Sequence, residues 1–259
     1  MQLRYRFALP LAAICCLAFI VAPALAAKPV LTPQALPNGA YLPPGNETSS
    51  VCNLGQTGPA LGSAIWFFPS DDYYYTFFDP AQCGCAAGMT NLIAHWTLNW
   101  TVPCSIFVQA WILPAVETAP GSGCYVAVTP PSPPDPPSAL CGPSEVTLLD
   151  GAAGGVITHS IPLPPCNCLA NGQKAFVLVK IVSGGSCPQS GGALVSPEIV
   201  FDGTPDPCTS YNAYPGSGGP VDLLSFGFPG NMMMSAAADC CTPTPTLPGS
   251  WGTLKTLYR

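Results

Sequence analysis

Cysteine carries most of the chemistry in this sequence. Fourteen are present. Cys15 and Cys16 lie in an apolar leader, and twelve follow: Cys52, Cys83, Cys85, Cys104, Cys124, Cys141, Cys166, Cys168, Cys187, Cys208, Cys240 and Cys241. An even set in an exported chain reads as a disulfide framework. Metal is the competing chemistry. The close pairs are Cys-x-Cys (83/85 and 166/168) and Cys-Cys (240/241), whereas structural zinc sites place two to four residues between cysteines and add histidine or more cysteine. Only His95 and His159 are available, in separate segments, and no metal site is expected. Twelve cysteines allow roughly ten thousand pairings, so connectivity stays open. Cysteines this close together are poorly placed to bond each other, so each pair should tie one strand end to two different places. Cys124 with Cys141 is expected as a local bridge across the Pro-rich loop between them.

Other reactive constellations are sparse. Gly-Ser-Gly at 121–123 and 216–218 lacks the spacing of a nucleophile elbow and reads as loop. A hydrolase would need a triad built on His95 or His159, or a pair of carboxyl groups flanking the scissile bond. Glu47, Glu117, Glu145 and Glu198 are scattered along the chain. Asp71-Asp72 and Asp202/Asp206 offer carboxylates of the kind calcium takes, with surface turns the simpler account; no other cofactor is suggested. No Gly-rich phosphate loop follows a strand and opens a helix. Aromatic faces give a binding chemistry, stacking on sugar rings, with Trp66, Tyr73, Tyr75 and Trp111 as candidates. Trp96 and Trp100 belong with the apolar face of their strand. Trp111, with Phe107 and Leu113 on its own side, also leans toward core.

The elements that must position these residues are strands. Thirty-three prolines and twenty-six glycines punctuate the chain, and no window shows a sustained helical period. Leu92 to Val102 alternates Leu92, Ala94, Trp96, Leu98, Trp100 and Val102 against Ile93, His95, Thr97, Asn99 and Thr101. That is the period of a half-buried antiparallel strand. Further strands are expected at 105–113, 125–129, 146–149, 156–161, 175–182, 194–201 and 232–238. Many short strands between Gly/Pro turns predict an all-β, single antiparallel β-sandwich, jelly-roll-like and disulfide-stapled.

Charge and hydropathy set the compartment. Residues 1–26 have the form of a secretory signal peptide: Arg4 and Arg6, an apolar run from Leu11 to Val21, then Ala24-Leu25-Ala26 as the cleavage site. Lipidation at Cys15 or Cys16 lacks the small preceding residue. No later apolar run reaches the ~18 residues that span a bilayer, so no transmembrane segment is expected after signal cleavage. The net charge is −6, and only Lys28, Lys174 and Lys180 are basic between the leader and residue 250. Nothing there could neutralise phosphates, which excludes nucleic acid as a partner. Charged residues make up 8% of the chain, against a typical ~25%.

Residues 27–60 read as an extended Pro-rich N-terminal segment and 61–241 as the β domain. TPPSPPDPPS (129–138) reads as a stiff polyproline loop, and 242–250 as a Pro/Thr linker. Residues 251–259, WGTLKTLYR, form a tail in which Trp251, Lys255, Tyr258 and Arg259 suggest a sorting or docking signal. DPCTSYNAY (206–214), VDLLSFGFPGNMMMSAAADCC (221–241) and SWGTLKTLYR (250–259) together resemble an uncharacterised family of exported bacterial β-sandwich proteins. Its members share a Cys-x-Ser-[Tyr/Trp]-Asn segment, here Cys208 to Asn212. They also share a Phe-Gly-[Phe/Leu]-Pro-Gly-Asn turn (Phe226 to Asn231), the Cys240-Cys241 pair and a Trp-Gly-x-[Ile/Leu]-Lys-x-Leu-[Tyr/Phe]-Arg ending. The resemblance implies a secreted or bacterial cell-surface fate, with the periplasm also open, and brings no catalytic residues.

The expectation is a non-catalytic secreted or cell-surface protein with a structural or adhesive role. Its partners would be itself, other surface components or polysaccharide. A carbohydrate-binding module using exposed aromatics is the alternative, and a secreted hydrolase the third reading.

Overall fold

The structure is a computed structural model of the 259-residue chain; it describes residues 28, 31–36, 51–55, 59–64, 67–85, 88–127, 139–170 and 172–241. The leader, Trp66, the Pro-rich stretch 129–138, the linker and the 251–259 tail lie outside the described residues.

β-Branched and aromatic runs between Gly and Pro turns become strands: β1 (Gln34–Ala35), β2 (Val51–Gly55), β3 (Gly62–Ala64), β4 (Asp72–Phe78), β5 (Met89–Trp100), β6 (Ser105–Glu117), β7 (Tyr125–Ala127) and β8 (Thr147–Asp150). They continue with β9 (Gly155–Pro162), β10 (Ala175–Ser183), β11 (Gln189–Ser190), β12 (Ala193–Leu194), β13 (Glu198–Phe201), β14 (Ser210–Ala213), β15 (Val221–Asp222) and β16 (Met234–Cys240). One seven-stranded sheet runs β1-β3-β13-β5-β16-β2 with β9 also on β5. A second runs β15-β14-β4-β10-β6-β7 with β8 also on β6, and β11-β12 is a small hairpin. The pairings within both sheets are antiparallel.

The long strands β5 and β6 organise the two sheets. β5 pairs β9 from Ile93 to Trp100, while β16 covers Met89 to Trp96 and β13 takes over at Leu98 and Asn99. β6 pairs β10 along most of its length, with β8 at Ser105 to Val108 and β7 at Ala115 to Glu117. A single strand with successive partners makes each sheet fork. The all-β, antiparallel, disulfide-stapled expectation is met; a simple pair of sheets is not what forms.

Alternation assigns the core. Ala94, Trp96, Leu98 and Trp100 of β5 share one cluster with Ile106, Val108, Ala110 and Ile112 of β6, and with Val177, Val179 and Ile181 of β10. The second sheet is apolar on its other face as well. Tyr73 and Tyr75 of β4, Trp111 and Leu113 of β6, Phe176 and Leu178 of β10 and Tyr211 of β14 form a separate buried cluster. The Tyr75 and Tyr211 rings stack 5.3 Å apart at 8°, and Phe176 meets both edge-on. Aromatic pairs of this geometry add about 0.5–1.5 kcal/mol each beyond their area. Strands buried on both faces show no apolar/polar alternation, which is why β4 (DYYYTFF) escapes a period-2 reading.

The N-terminal segment is more integrated than its composition suggests. β2 lies along β16, Leu54 and Ala60 are fully buried, and Leu36 packs with Val200 and Met233.

All twelve cysteines after the leader are paired: 52–83, 85–240, 104–187, 124–208, 141–166 and 168–241. Each close pair does reach two places. Cys83 and Cys85 bond Cys52 and Cys240; Cys166 and Cys168 bond Cys141 and Cys241. The Cys124–Cys141 bridge is a correction. Cys124, just before β7, meets Cys208 before β14, while backbone pairing of Cys141 with Ile112 presents its sulfur to the 164–166 turn.

Non-reducing peptide mapping should recover Cys124–Cys208 and Cys141–Cys166, with no Cys124–Cys141 peptide. Replacing Cys124 and Cys208 together by serine should cost about 2–4 kcal/mol in denaturant unfolding through the freed unfolded chain.

Candidate functional site

The two histidines sit on neighbouring strands but on opposite faces. His95 projects outward from β5, and its Nδ1 lies 3.0 Å from Ser160 Oγ on β9, the residue opposite it. Thr97 and Thr158, two pairs further along and on the same face, share a hydroxyl contact of 2.8 Å. Ser63, Asn99 and Glu198 end this polar lane: Glu198 Oε2 accepts from Ser63 Oγ at 2.5 Å and from Asn99 Nδ2 at 3.0 Å. Asn99 is four residues from His95, about 13 Å along a strand. The lane thus holds a serine–histidine contact, but among the described residues no carboxylate bonds the ring. A triad needs that third group to orient the base.

His159, the next residue to Ser160, faces the other way, where Trp100 Nε1 donates to its Nε2 at 2.9 Å. Burial pushes its pKa down to about 4, with Asp150 opposing the shift. A protonated Nε2 could not accept the indole N–H. His159 is therefore a neutral structural acceptor.

The three described aromatic candidates do not form a stacking platform. Tyr73 and Tyr75 of β4 and Trp111 of β6 are at most 2% exposed, all in the cluster on the far face of the second sheet; Trp66 lies outside the described residues. Phe107, which shares Trp111's side, is exposed instead because it stands near the end of β6.

The acidic pairs are spent on structure. Lys180 pairs with Asp71 at 3.2 Å, and Asp72 is engaged by Lys28. Asp202 accepts the backbone N–H groups of Thr204 and Asn231, and Asp206 accepts from Asn231 Nδ2. Among the described residues no three metal-binding side chains converge. Glu117 caps its loop through the Gly123 and Gly121 amides, which hold its carboxyl low.

The Asp72 carboxylate, at the start of β4 and fully buried, is densely bonded. Its Oδ2 accepts from Lys28 Nζ at 2.6 Å, Tyr74 Oη at 2.6 Å and the Phe68 amide at 2.8 Å. Its Oδ1 accepts from Asn212 Nδ2 of β14 at 2.8 Å. Lys28 Nζ also sits 4.9–5.3 Å from the ring centres of Phe68, Tyr74 and Tyr214, a cation–π enclosure. Desolvation lowers the Lys28 pKa to about 8 against the opposing pull of Asp72. Burial foremost, then the Asp72 charge, raises that of Tyr74. Sequence reasoning missed this group, although Lys28 was visible as one of three cations between the leader and residue 250.

At the surface, one apolar patch stands out. Val146 (51% exposed), Leu148 (50%) and Phe107 (38%) gather where β8 edges the second sheet, with Leu148 directly opposite Phe107.

Burial also lowers the His95 pKa, so both histidines bind protons less readily folded than unfolded. Protonation of the unfolded chain should then erode stability as pH falls from about 6.5 toward about 4. Urea midpoints should drop across that window, and His159→Gln should flatten the dependence; an unchanged profile would assign the loss to carboxylates. Against known proteins, no family model matches this chain, and no curated protein matches it. Two solved chains match. One is the crystal structure of the cysteine protease and lectin-like domains of Cwp84, a surface layer associated protein of Clostridium difficile. It is 10% identical, with a TM-score of 0.47, over 76% of this chain and 37% of that one.

Proposed function

We propose that this is a non-catalytic exported protein, secreted or displayed at the cell surface, whose role is structural or adhesive. We read its two forked sheets as the halves of a jelly-roll-like sandwich. The observation that carries the reading is the apolar edge at Phe107, Val146 and Leu148 on a scaffold tied by six disulfides. An exposed edge strand offers unpaired backbone groups to another chain, and natural edges are commonly guarded by charge, above all lysine. β8 (TLLD) carries no lysine, and its neighbour Val146 is equally bare. An edge of this kind binds a like surface, so self-association is the primary expectation. The compartment follows from the disulfides, which persist in oxidising surroundings.

The polysaccharide reading loses its main support, because three of its four aromatics are interior. The hydrolase reading has a serine and a histidine in contact but, among the described residues, no carboxylate bonded to them. The Trp251, Lys255, Tyr258 and Arg259 tail keeps its reading as a sorting or docking signal.

Sedimentation velocity over a concentration series tests the role. The full-length exported protein should self-associate, and Leu148→Lys should weaken that association about tenfold or more with an unchanged disulfide map. A strictly monomeric wild-type protein, or a variant that associates equally well, would refute the edge as the adhesive surface.

A further inference from the structure

The buried group around Asp72 brings an amine and a carboxamide to one carboxylate. Lys28 Nζ is 2.6 Å from Asp72 Oδ2, and Asn212 Nδ2 is 2.8 Å from Asp72 Oδ1. The Lys28 and Asp72 side chains are 2% and 0% exposed, and Asn212 is fully buried. Aromatic rings enclose the amine. The second Asn212 amide hydrogen is held by the Tyr73 carbonyl at 2.9 Å, which fixes the plane of the carboxamide. A carboxamide clamped on the other oxygen of the same carboxylate supplies an electrophile, a nucleophile and a proton carrier between them.

We propose that Lys28 and Asn212 condense into an intramolecular amide crosslink, with Asp72 carrying the proton from one nitrogen to the other. Asp72 Oδ2 takes a proton from the Lys28 ammonium, leaving a neutral amine. Nζ attacks Cγ of Asn212 and the Nζ–Cγ bond forms. Asp72, whose other oxygen already faces Nδ2, returns a proton there; the Cγ–Nδ2 bond breaks and ammonia leaves. One lysine ammonium and one carboxamide give one secondary amide and one ammonium ion: Nζ gives up two protons in all, Asp72 passes the second to the departing ammonia, and Asp72 ends as a carboxylate. No oxidant or cofactor enters. In water this reaction is negligible, because a lysine is protonated and amide nitrogen leaves poorly. Here desolvation brings the amine to about 8, so a neutral fraction is present, and both groups are held on one carboxylate, which lowers the entropy cost of encounter.

Intact-mass spectrometry of the full exported chain, after reduction and alkylation, reads the outcome. The protein should be lighter by one ammonia than its sequence from the observed N-terminus requires. A branched proteolytic peptide should join Lys28 to Asn212. Lys28→Arg keeps the charge and the aromatic contacts but cannot condense; it should show the full mass with wild-type near-ultraviolet circular dichroism. Asp72→Asn, if it folds, should also show the full mass. Three results would overturn the proposal: full mass in the wild type, ammonia loss without a branched peptide, or loss of one water with a Lys28–Asp72 branch.

Discussion

The Asp72 carboxylate is buried where an unpaired charge would cost several kcal/mol, and its needs organise the surrounding chain. It is satisfied by four donors from four places: the N-terminal segment through Lys28, the Phe68 turn, β4 through Tyr74 and β14 through Asn212. Those places meet only when β4 pairs with β14 and the N-terminal segment folds back over both. The carboxylate therefore couples these four places: loss of Lys28 would strand a buried charge, and loss of any other donor would leave that charge short of a hydrogen bond. The other domain cations repeat the pattern more weakly at the rim. Lys174 and Lys180 each pair with an aspartate and lie over an aromatic ring.

The aromatic cluster on the far face of the second sheet explains the composition. A chain with few charges and many tyrosines can bury a sheet on both sides only if the hydroxyls are accommodated. Tyr211 donates to the Tyr125 carbonyl, whereas Tyr75 Oη and Trp111 Nε1 have no hydrogen-bond partner among the described residues. Ring stacking and burial offset that cost, and they place these residues in the architecture rather than at a sugar.

Legibility in the sequence followed periodicity. β5 was readable because Ala94, Trp96, Leu98 and Trp100 alternate with His95, Thr97 and Asn99. β4 was not, since Tyr73 to Phe78 is apolar toward both faces. β2 was hidden in a Pro-rich neighbourhood, where its pairing with β16 is a long-range choice. The rule that close cysteines diverge follows from local geometry and holds. The Cys124 partner depends on where β14 lies, which no spacing encodes. Likewise the Lys28–Asp72–Asn212 group joins residues from three distant stretches, and only the scarcity of cations pointed toward it.

The Cys240-Cys241 pair has a mechanical consequence. β16 ends at Cys240, bonded to Cys85 before β5, and the next residue, Cys241, is bonded to Cys168 beyond β9. Tension arriving along the chain from residues after 241 meets these two covalent links before it reaches any hydrogen bond of β16. The force is divided between two separate parts of the domain, so the strand is loaded in parallel and does not unzip from its end. A domain held this way resists a pull at that end through covalent bonds.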